Sequence, residues 1–550
     1  MENNNSNAKR IKGLIVCGIL LLSVVSASWT FSERPLNNHE CFVSITAREM
    51  LESGNWIMPT CNGESRLQKT PLSYWLVAGL AKITGRVDEF TTRLPSVVFG
   101  VLSVAAILYF VNQWLTFRIA VLSGGVWATS IGYICYTRNA RPEMILTFFI
   151  LLCFLSFYSA ITAKDRKEQL VFTLVFWTSF ALGNLAKGPA PLPLVLIPLF
   201  FYIAIFWQWR KLFNWASVVG LIVFLAILLP WPLAIAHKLN WDLTLWKKEF
   251  VDRFFGDYVP GHKPLYYYLM DMFIFVFPWV AFLPMALAAP FFKAWNKKRS
   301  AMQFLWLWFV ADLIFLTING GKRQHYILPS MPAMAILIGI LMEDMVFVRK
   351  AYTPKYARDV LRNHVVAVII AAVAGIIYIA KTNSRLLSGA IIIGAATIVM
   401  IAVTAVLFAR RKPAFACGAT FAGIVVLVMI AYVVFVNPLN YNQSSREFTQ
   451  IVAEKIPAAE KEKLVAYKSA STRFIHYFGR PVPEIKTEPE VDKLYNEGWW
   501  VVAFGIHLDE LLKNGHFEIV YMEEEAERHK GNIVYGALLH KSVKPLEDDM

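Results

Sequence analysis

Charged side chains are scarce. Asp, Glu, Lys and Arg make up 17% of the 550 residues, against about a quarter in soluble globular domains. Together with 57% hydrophobic residues, that deficit excludes a wholly soluble chain and points to a bilayer. Acidic residues are scarcer than basic ones, 39 against 54, which leaves a formal charge of +15. A positive chain raises nucleic acid as a partner, but the basic residues stand in short loops between apolar runs. That is the pattern of membrane topology and not of a nucleic-acid surface. Cysteine is also sparse, with six residues. Cys17, Cys135, Cys153 and Cys417 lie in apolar runs, as small buried hydrophobes do. Cys41 and Cys61 share one loop, which leaves a disulfide open, and no CxxC or other metal-ligand spacing occurs. A Gly-rich phosphate loop and an internal repeat are both missing.

What the chain does contain is a succession of apolar runs, each long enough to cross roughly 30 Å of hydrocarbon. They fall at 12–30, 92–114, 118–138, 143–161, 168–187, 189–207, 214–236, 266–292, 301–319, 326–343, 365–381, 386–408 and 414–436. The first follows Lys9, Arg10 and Lys12 and reads as an uncleaved helix. One further run, Pro71 to Ile83, is short, aromatic and flanked by Lys69 and Lys82, and is expected in the interface.

Basic residues set the orientation. With the N-terminus inside, Arg118, the Lys164–Lys167 stretch, Arg210 and Lys211 fall in successive inner loops. So do the clusters at 293–299, 349–362 and 410–412. Every second loop is basic, as retention of positive charge requires. Counting 71–83 as a crossing would destroy the alternation. The expectation is therefore an all-α polytopic domain over 1–436, about 13 transmembrane helices, with outer loops at 31–91 and 237–265. Residues 437–550 lie outside, in the periplasm if the membrane is a bacterial inner membrane. Their alternating patterns predict a small α/β domain: helices at 445–456, at 471–478 and up to Leu512, and strands at 463–468, 499–505, 517–522 and 532–540.

Several charges sit where the topology rule does not want them, at the outer membrane edge, and are functional candidates on that ground. They are His39 and Glu40 after the first run; Arg66 and Lys69; Arg138, Arg141 and Glu143 in TRNARPE; and Lys187 in LAKGP. Further along stand His262 and Lys263 before Tyr266, Tyr267 and Tyr268, then Lys322, Arg323, His325 and Tyr326 in GKRQHY. Cations from several loops on one face suit a lipid-linked phosphate, which they would bind and stabilise as it leaves. Each alone would merely snorkel to headgroups. Glu40 is the expected general base and Glu143 the second carboxylate, although Glu40 also suits a helix cap and Glu143 a pairing with Arg138 or Arg141. His262 is a metal candidate without companions at ligand spacing.

The stretches HECFVSITAREMLESGNWIMP, NGESRLQKTPLSYWL, EFTTRLPS, LAKGP and GKRQHYILPSMPAMAIL resemble, in this order over most of 36–343, the polyprenyl-phosphate-dependent glycosyltransferases of the GT-C class. They are most similar to the ArnT-like aminoarabinose transferases of lipid A, related to protein O-mannosyltransferases. The resemblance implies a GT-C fold, a periplasm-facing cavity, an undecaprenyl-phosphate sugar donor and a periplasmic C-terminal domain. Family members usually carry Asp-Glu where this chain has His39-Glu40, and Glu-Lys-Pro-Pro-Leu where it has Gln68-Lys69-Thr70-Pro71-Leu72; Glu143 replaces a common Asp.

The expected activity is thus an integral-membrane glycosyltransferase of the inner membrane, displacing the carrier phosphate at the anomeric carbon with inversion. In this reading Glu40, Glu143 and His39 are catalytic, and Lys69, Arg66, Arg138, Arg141, Lys322 and Arg323 hold the donor phosphate. Tyr266, Tyr267, His325 and Tyr326 line the cavity. No cofactor is certain, with a divalent metal at His262 left open. The acceptor is a lipid such as lipid A, or, in a protein O-glycosyltransferase, a Ser or Thr hydroxyl. A lipid or sugar flippase is the alternative of another class, and it would need inverted repeats and broken helices near the midplane.

Overall fold

The computed structural model describes residues 2–209, 214–242, 244, 247, 263–348, 354–382, 386–436, 443–513, 517–523, 527–529 and 532–541. His262 and the loop cations Arg210, Lys211, Arg349 and Lys350 lie outside these. The chain is a multi-pass membrane protein. Among the described residues ten helices are long and apolar enough to cross a bilayer, or up to twelve if each of two bent pairs forms one span. All thirteen apolar runs are helical, but three depart from a plain crossing. The run at 189–207 forms Pro191–Phe206, a helix of only 16 residues that ends on Trp207 in the left-handed region. The expected interfacial segment forms Leu72–Thr84, 13 residues, too short to cross.

The two bends explain each other. Phe117–Ala128 and Ile131–Thr137 meet at 60°. At the junction the hydroxyls of Thr129 and Ser130 donate back to the carbonyls of Gly125 and Val126, each at 2.6 Å. Such back-bonding bends helices. Tyr267–Val276 and Trp279–Phe291 meet at 116°, where Pro278 has no N–H to continue the ladder. The Ile131 N–H donates to the Phe277 carbonyl at 3.0 Å, and Trp279 Nε1 donates to Thr129 Oγ1 at 3.1 Å. The backbone bond pairs two groups that the breaks leave without a helical partner, as an apolar surrounding demands, and the side-chain bond holds the breaks together. Gly132 permits the approach, since a Cβ there would stand 3.1 Å from the Phe275 Cβ.

The chain forms two compact units. One comprises Met1–Phe31, Leu67–Ser73 and Arg93–Pro438; the other comprises Ser32–Arg66, Tyr74–Thr92 and Leu439–Met550. Most of the loop 31–91 thus joins the C-terminal region and not the membrane domain in which the hydropathy pattern places it. Hydrogen bonds account for this. Strands β1 (Thr60–Cys61) and β2 (Glu64–Ser65) form a hairpin. Its turn residues Asn62 and Gly63 both have positive φ, the Asn-Gly signature of a tight turn. Asn62 exchanges two bonds with the backbone of Val482, at 2.7 and 2.9 Å. Tyr477 accepts from the Leu36 N–H at 2.8 Å and donates to Glu89 at 3.0 Å. Cys41 and Cys61 are not joined in a disulfide, and the Cys41 thiol donates to the Leu36 carbonyl at 3.8 Å.

The α/β expectation for the C-terminal region holds. Five strands, β3 (Leu464–Tyr467), β4 (Glu484–Ile485), β5 (Trp500–Phe504), β6 (Ile519–Met522) and β9 (Gly536–Leu539), form one sheet in the order β4-β3-β5-β9-β6. A separate hairpin pairs β7 (Glu527–His529) with β8 (Asn532–Val534). The pairings β3–β4 and β3–β5 are parallel, and β9 runs antiparallel to both neighbours. Successive residues alternate between two cores: Leu464 and Ala466 join Phe448 and Phe474 on one face, while Val465 and Tyr467 join Val491 and Leu511 on the other. Strand β4 and the helix Glu488–Asn496 were not expected.

In this unit His476 is buried, with Nδ1 2.9 Å from Ser44 Oγ. Burial first, then the charges of Arg48 and Arg446, push its pKa down to about 3. In an unfolded chain the ring takes its proton near pH 6.5, so the folded state is favoured fully above that pH. It loses up to about 1.4 kcal/mol per pH unit below it, until the folded value is reached. The thermal midpoint of the solubilised protein is expected to fall between pH 7 and pH 5, and His476→Gln to flatten that dependence. An identical pH slope in the variant would refute the assignment.

Candidate active site

Glu143 opens the helix Glu143–Thr162 directly after Pro142, so its carboxylate stands at the positive end of the helix dipole. One oxygen, Oε1, lies 3.1 Å from Lys187 Nζ and 3.3 Å from His325 Nε2. The three side chains are only 7%, 12% and 12% exposed, so water screens the group little. The other oxygen, Oε2, is buried and has no hydrogen-bond partner among the described residues. It is an unused acceptor among buried charged groups, and such an atom calls for an explanation. Lys187 also faces the Tyr326 ring at 5.2 Å, a cation–π distance.

Local backbone geometry delivers these groups. Lys187 ends the helix Arg166–Lys187, and Gly188 follows with φ 65° and ψ −151°, a region essentially restricted to glycine. The Gly188 N–H donates to Thr70 Oγ1 at 2.9 Å, which draws Lys69, one residue earlier and half-buried, toward the Lys187 turn. His325 and Tyr326 lie in the 3₁₀ segment Gln324–Ser330. Just ahead of it, Tyr268 clamps Arg323 by accepting from its N–H at 3.2 Å and donating to its carbonyl at 3.3 Å. Tyr136 packs edge-on against Phe275 at 5.6 Å and lies 6.4 Å from the His325 ring. The bent helices thereby shape one wall of the site.

The remaining candidates divide. Arg141 is close enough to act electrostatically on both Glu143 and His325, and its buried Nε has no hydrogen-bond partner among the described residues. Lys322 is buried and donates to the Lys263 carbonyl at 3.3 Å; Lys263 in turn faces the Tyr267 ring at 5.8 Å. Tyr266 is exposed. Arg138, expected at the phosphate, is engaged elsewhere. Its guanidinium donates to the carbonyls of Ser26 and Trp29 and to Thr30 and stacks at 3.6 Å on the Tyr432 ring, which fastens the end of the first helix.

Glu40, His39 and Arg66 belong to the other unit. Glu40 is fully buried and completes a capping box with Asn37 at the start of Asn38–Ser53. Its Oε2 accepts from the Asn37 backbone N–H at 3.0 Å and from Asn37 Nδ2 at 2.7 Å. This is the helix-capping role, not the posture of a base awaiting an acceptor. His39 is exposed. Arg66 stacks at 3.8 Å on Phe42 and donates to Tyr74 at 3.3 Å. Among the described residues no group of three or more His, Cys, Asp or Glu could hold a metal ion; His262 is not one of the described residues.

Two buried carboxylates escaped the sequence reading. Asp271 acts electrostatically on Tyr136, Tyr267 and Tyr268, and Glu143 acts on the same Tyr136. Its Oδ2 is buried without a hydrogen-bond partner among the described residues. Asp312 accepts from Ser330 Oγ at 2.6 Å, which braces the segment carrying His325. A lone acid within an apolar run, as in YLMDMFIF or FVADLIF, was the available signal.

Residues 68–233 match the family model described as dolichyl-phosphate-mannose-protein mannosyltransferase. The undecaprenyl phosphate-alpha-4-amino-4-deoxy-L-arabinose arabinosyl transferase of Pseudomonas aeruginosa (strain LESB58) is 30% identical over 342 residues, 59% of each chain. An uncharacterised protein of Aquifex aeolicus is 31% identical over 329 residues, 59% of this chain and 62% of the relative. The chain thus spans about three-fifths of the length of these curated relatives. The crystal structure of ArnT from Cupriavidus metallidurans bound to undecaprenyl phosphate superposes with TM-score 0.78 at 18% identity, covering 95% of this chain and 97% of that one. An archaeal oligosaccharyltransferase, AglB from Archaeoglobus fulgidus, reaches 0.53 at 10% identity, covering 90% and 69%. The fold is the GT-C fold.

Lys187 is expected to matter for stability before any chemistry. Lys187→Ala strands the Glu143 carboxylate in a buried setting and should cost about 3 kcal/mol, read as a lower thermal midpoint. Lys187→Arg should recover most of it. An unchanged midpoint in Lys187→Ala would show that the ion pair contributes nothing.

Proposed function

We propose that this chain is a glycosyltransferase of the bacterial inner membrane. In this reading it moves a sugar from a polyprenyl-phosphate donor to a lipid acceptor on the periplasmic side. The observation that carries the proposal is the open Oε2 of Glu143, held beside Lys187, His325 and Arg141. A buried anion with one committed and one unused oxygen is suited to accept a proton from an incoming hydroxyl. The likeness to a fold crystallised with undecaprenyl phosphate and the arabinosyl transferase names of the relatives support the donor class.

The acceptor oxygen attacks the anomeric carbon and passes its proton to Glu143 as the bond to the carrier phosphate breaks on the opposite face. The polyprenyl phosphate leaves with the bonding electron pair. Lys69, Arg141, Lys322 and Arg323 are the cations assigned to the growing phosphate charge, with Tyr326 and Tyr267 along the cavity wall. Asp271 is assigned to a sugar hydroxyl. Glu40 and Arg138 support the scaffold and not the reaction. The mannosyltransferase family model favours a second reading, a protein hydroxyl as acceptor.

Purified protein in lipid nanodiscs, given radiolabelled polyprenyl-phosphate sugars, tests both. Transfer to outer-membrane lipid supports the first reading, transfer only to Ser/Thr peptides the second, and transfer to neither removes the enzyme assignment. Glu143→Gln should lower the rate by about 100-fold or more. Glu40→Gln, which still fits a capping box, should stay within a few-fold of wild type. The reverse order of those two variants would return the base to Glu40.

A further inference from the structure

Away from the Glu143 group, two cavities run along the helix Pro354–Thr382. They measure about 670 and 280 Å³ and share His364, Val368, Met400 and Thr420 in their walls, forming one groove. The walls are otherwise mainly apolar, with Phe282, Ile401 and Phe408 in the larger cavity and Ile376, Ile379 and Phe435 in the smaller. One end is different. Lys355, Arg358 and Arg362 line the larger cavity there and are exposed. Asp359 pairs with Arg362 at 3.5 Å, so among the described residues three cations face one nearby carboxylate.

A second polar element lies deeper. His364 stacks flat on Trp279, with ring centres 5.3 Å apart, and its buried Nδ1 has no hydrogen-bond partner among the described residues. Along the helix His364 is two residues past Arg362 and six past Arg358, or about 3 and 9 Å at 1.5 Å per residue. An amphiphile with a phosphate at the rim, a hydrogen-bond acceptor a few ångströms below it and long hydrocarbon beyond matches this series. The order cation, unpartnered ring nitrogen, hydrocarbon wall is that of a diacyl phospholipid, with phosphate, glycerol ester and acyl chains, when Nδ1 carries the ring proton.

We propose that the groove binds one anionic diacyl phospholipid. Its phosphate lies among Lys355, Arg358 and Arg362, an ester carbonyl accepts from His364 Nδ1–H, and an acyl chain lies along Val368 and Met400. A free phosphate would leave the apolar length of the groove without a partner. A zwitterionic headgroup would bring its own cation against the three already there.

The full-length protein in nanodiscs, with phosphatidylglycerol carrying a diazirine on its acyl chain, provides the test. After illumination, crosslinks mapped by mass spectrometry are expected within 358–379 and 393–420. Unlabelled phosphatidylglycerol should compete far better than phosphatidylcholine. Arg358→Gln with Arg362→Gln should reduce labelling about tenfold. Met400→Trp, which fills the shared wall and leaves the cations in place, should also reduce it in protein that elutes as a folded monodisperse species. Labelling spread evenly over all lipid-facing helices, equal competition by phosphatidylcholine, displacement only by undecaprenyl phosphate, or unchanged labelling in both variants would each overturn the proposal.

Discussion

The structure depends on satisfying backbone polar groups where no water can reach them. A membrane helix meets that requirement internally, so a break is tolerated only when something nearby supplies the missing partner. Here the Ile131 N–H at one junction takes the Phe277 carbonyl at the other, and a side-chain bond from Trp279 Nε1 to Thr129 Oγ1 ties the two breaks together. Pairing two breaks fixes the segments that leave them. Ile131–Thr137 leads into the Arg138–Glu143 turn, and Tyr267–Val276 carries Tyr268 against Arg323. The geometry around Glu143 is therefore inherited from the need to close two gaps.

Charges of the same kind acquire different roles from their surroundings. Arg138 finds backbone carbonyls and an aromatic face, all fixed protein groups, and becomes a fastener. Lys187 finds a carboxylate that keeps its other oxygen unused. Position at the end of an apolar run made both look alike in sequence. What separates them is whether the partner saturates the charge, and only three-dimensional structure settles that. Glu40 and Glu143 differ in the same way. Both are acids in the first turn of a helix, but one is consumed by its own cap.

Much of the fold was legible because hydrocarbon thickness sets helix length and period-two burial sets strands. All thirteen apolar runs became helices, and the strands of the C-terminal sheet appeared where alternation predicted them. The exceptions have local causes. The bends came from hydroxyl back-bonding and from a proline, neither of which interrupts hydropathy. Glu488–Asn496 has nine residues and few apolar ones, too little for a periodic signal, and β4 has only two residues. At the candidate site, residue types singled out the TRNARPE, LAKGP and GKRQHY stretches, which the structure brings together at Glu143, Lys187 and His325. They did not reveal that Glu143, Lys187 and His325 converge on one oxygen, because that contact joins positions far apart in the chain.

The chain changes units at 31/32, 66/67, 73/74, 92/93 and 438/439. Leu36 and Tyr477, which share a hydrogen bond, are 441 positions apart. At ribosomal speeds of about 5–20 residues per second, the early segment waits tens of seconds for the strand-bearing partner that completes it. During that interval the Asn62–Gly63 hairpin and the helix Asn38–Ser53 are held by one another, through the Asn62 N–H bond to Glu49, and the helix is held also by the core it shares with Leu72–Thr84. The bond between Leu36 and Tyr477 therefore forms only after nearly every membrane helix has been synthesised.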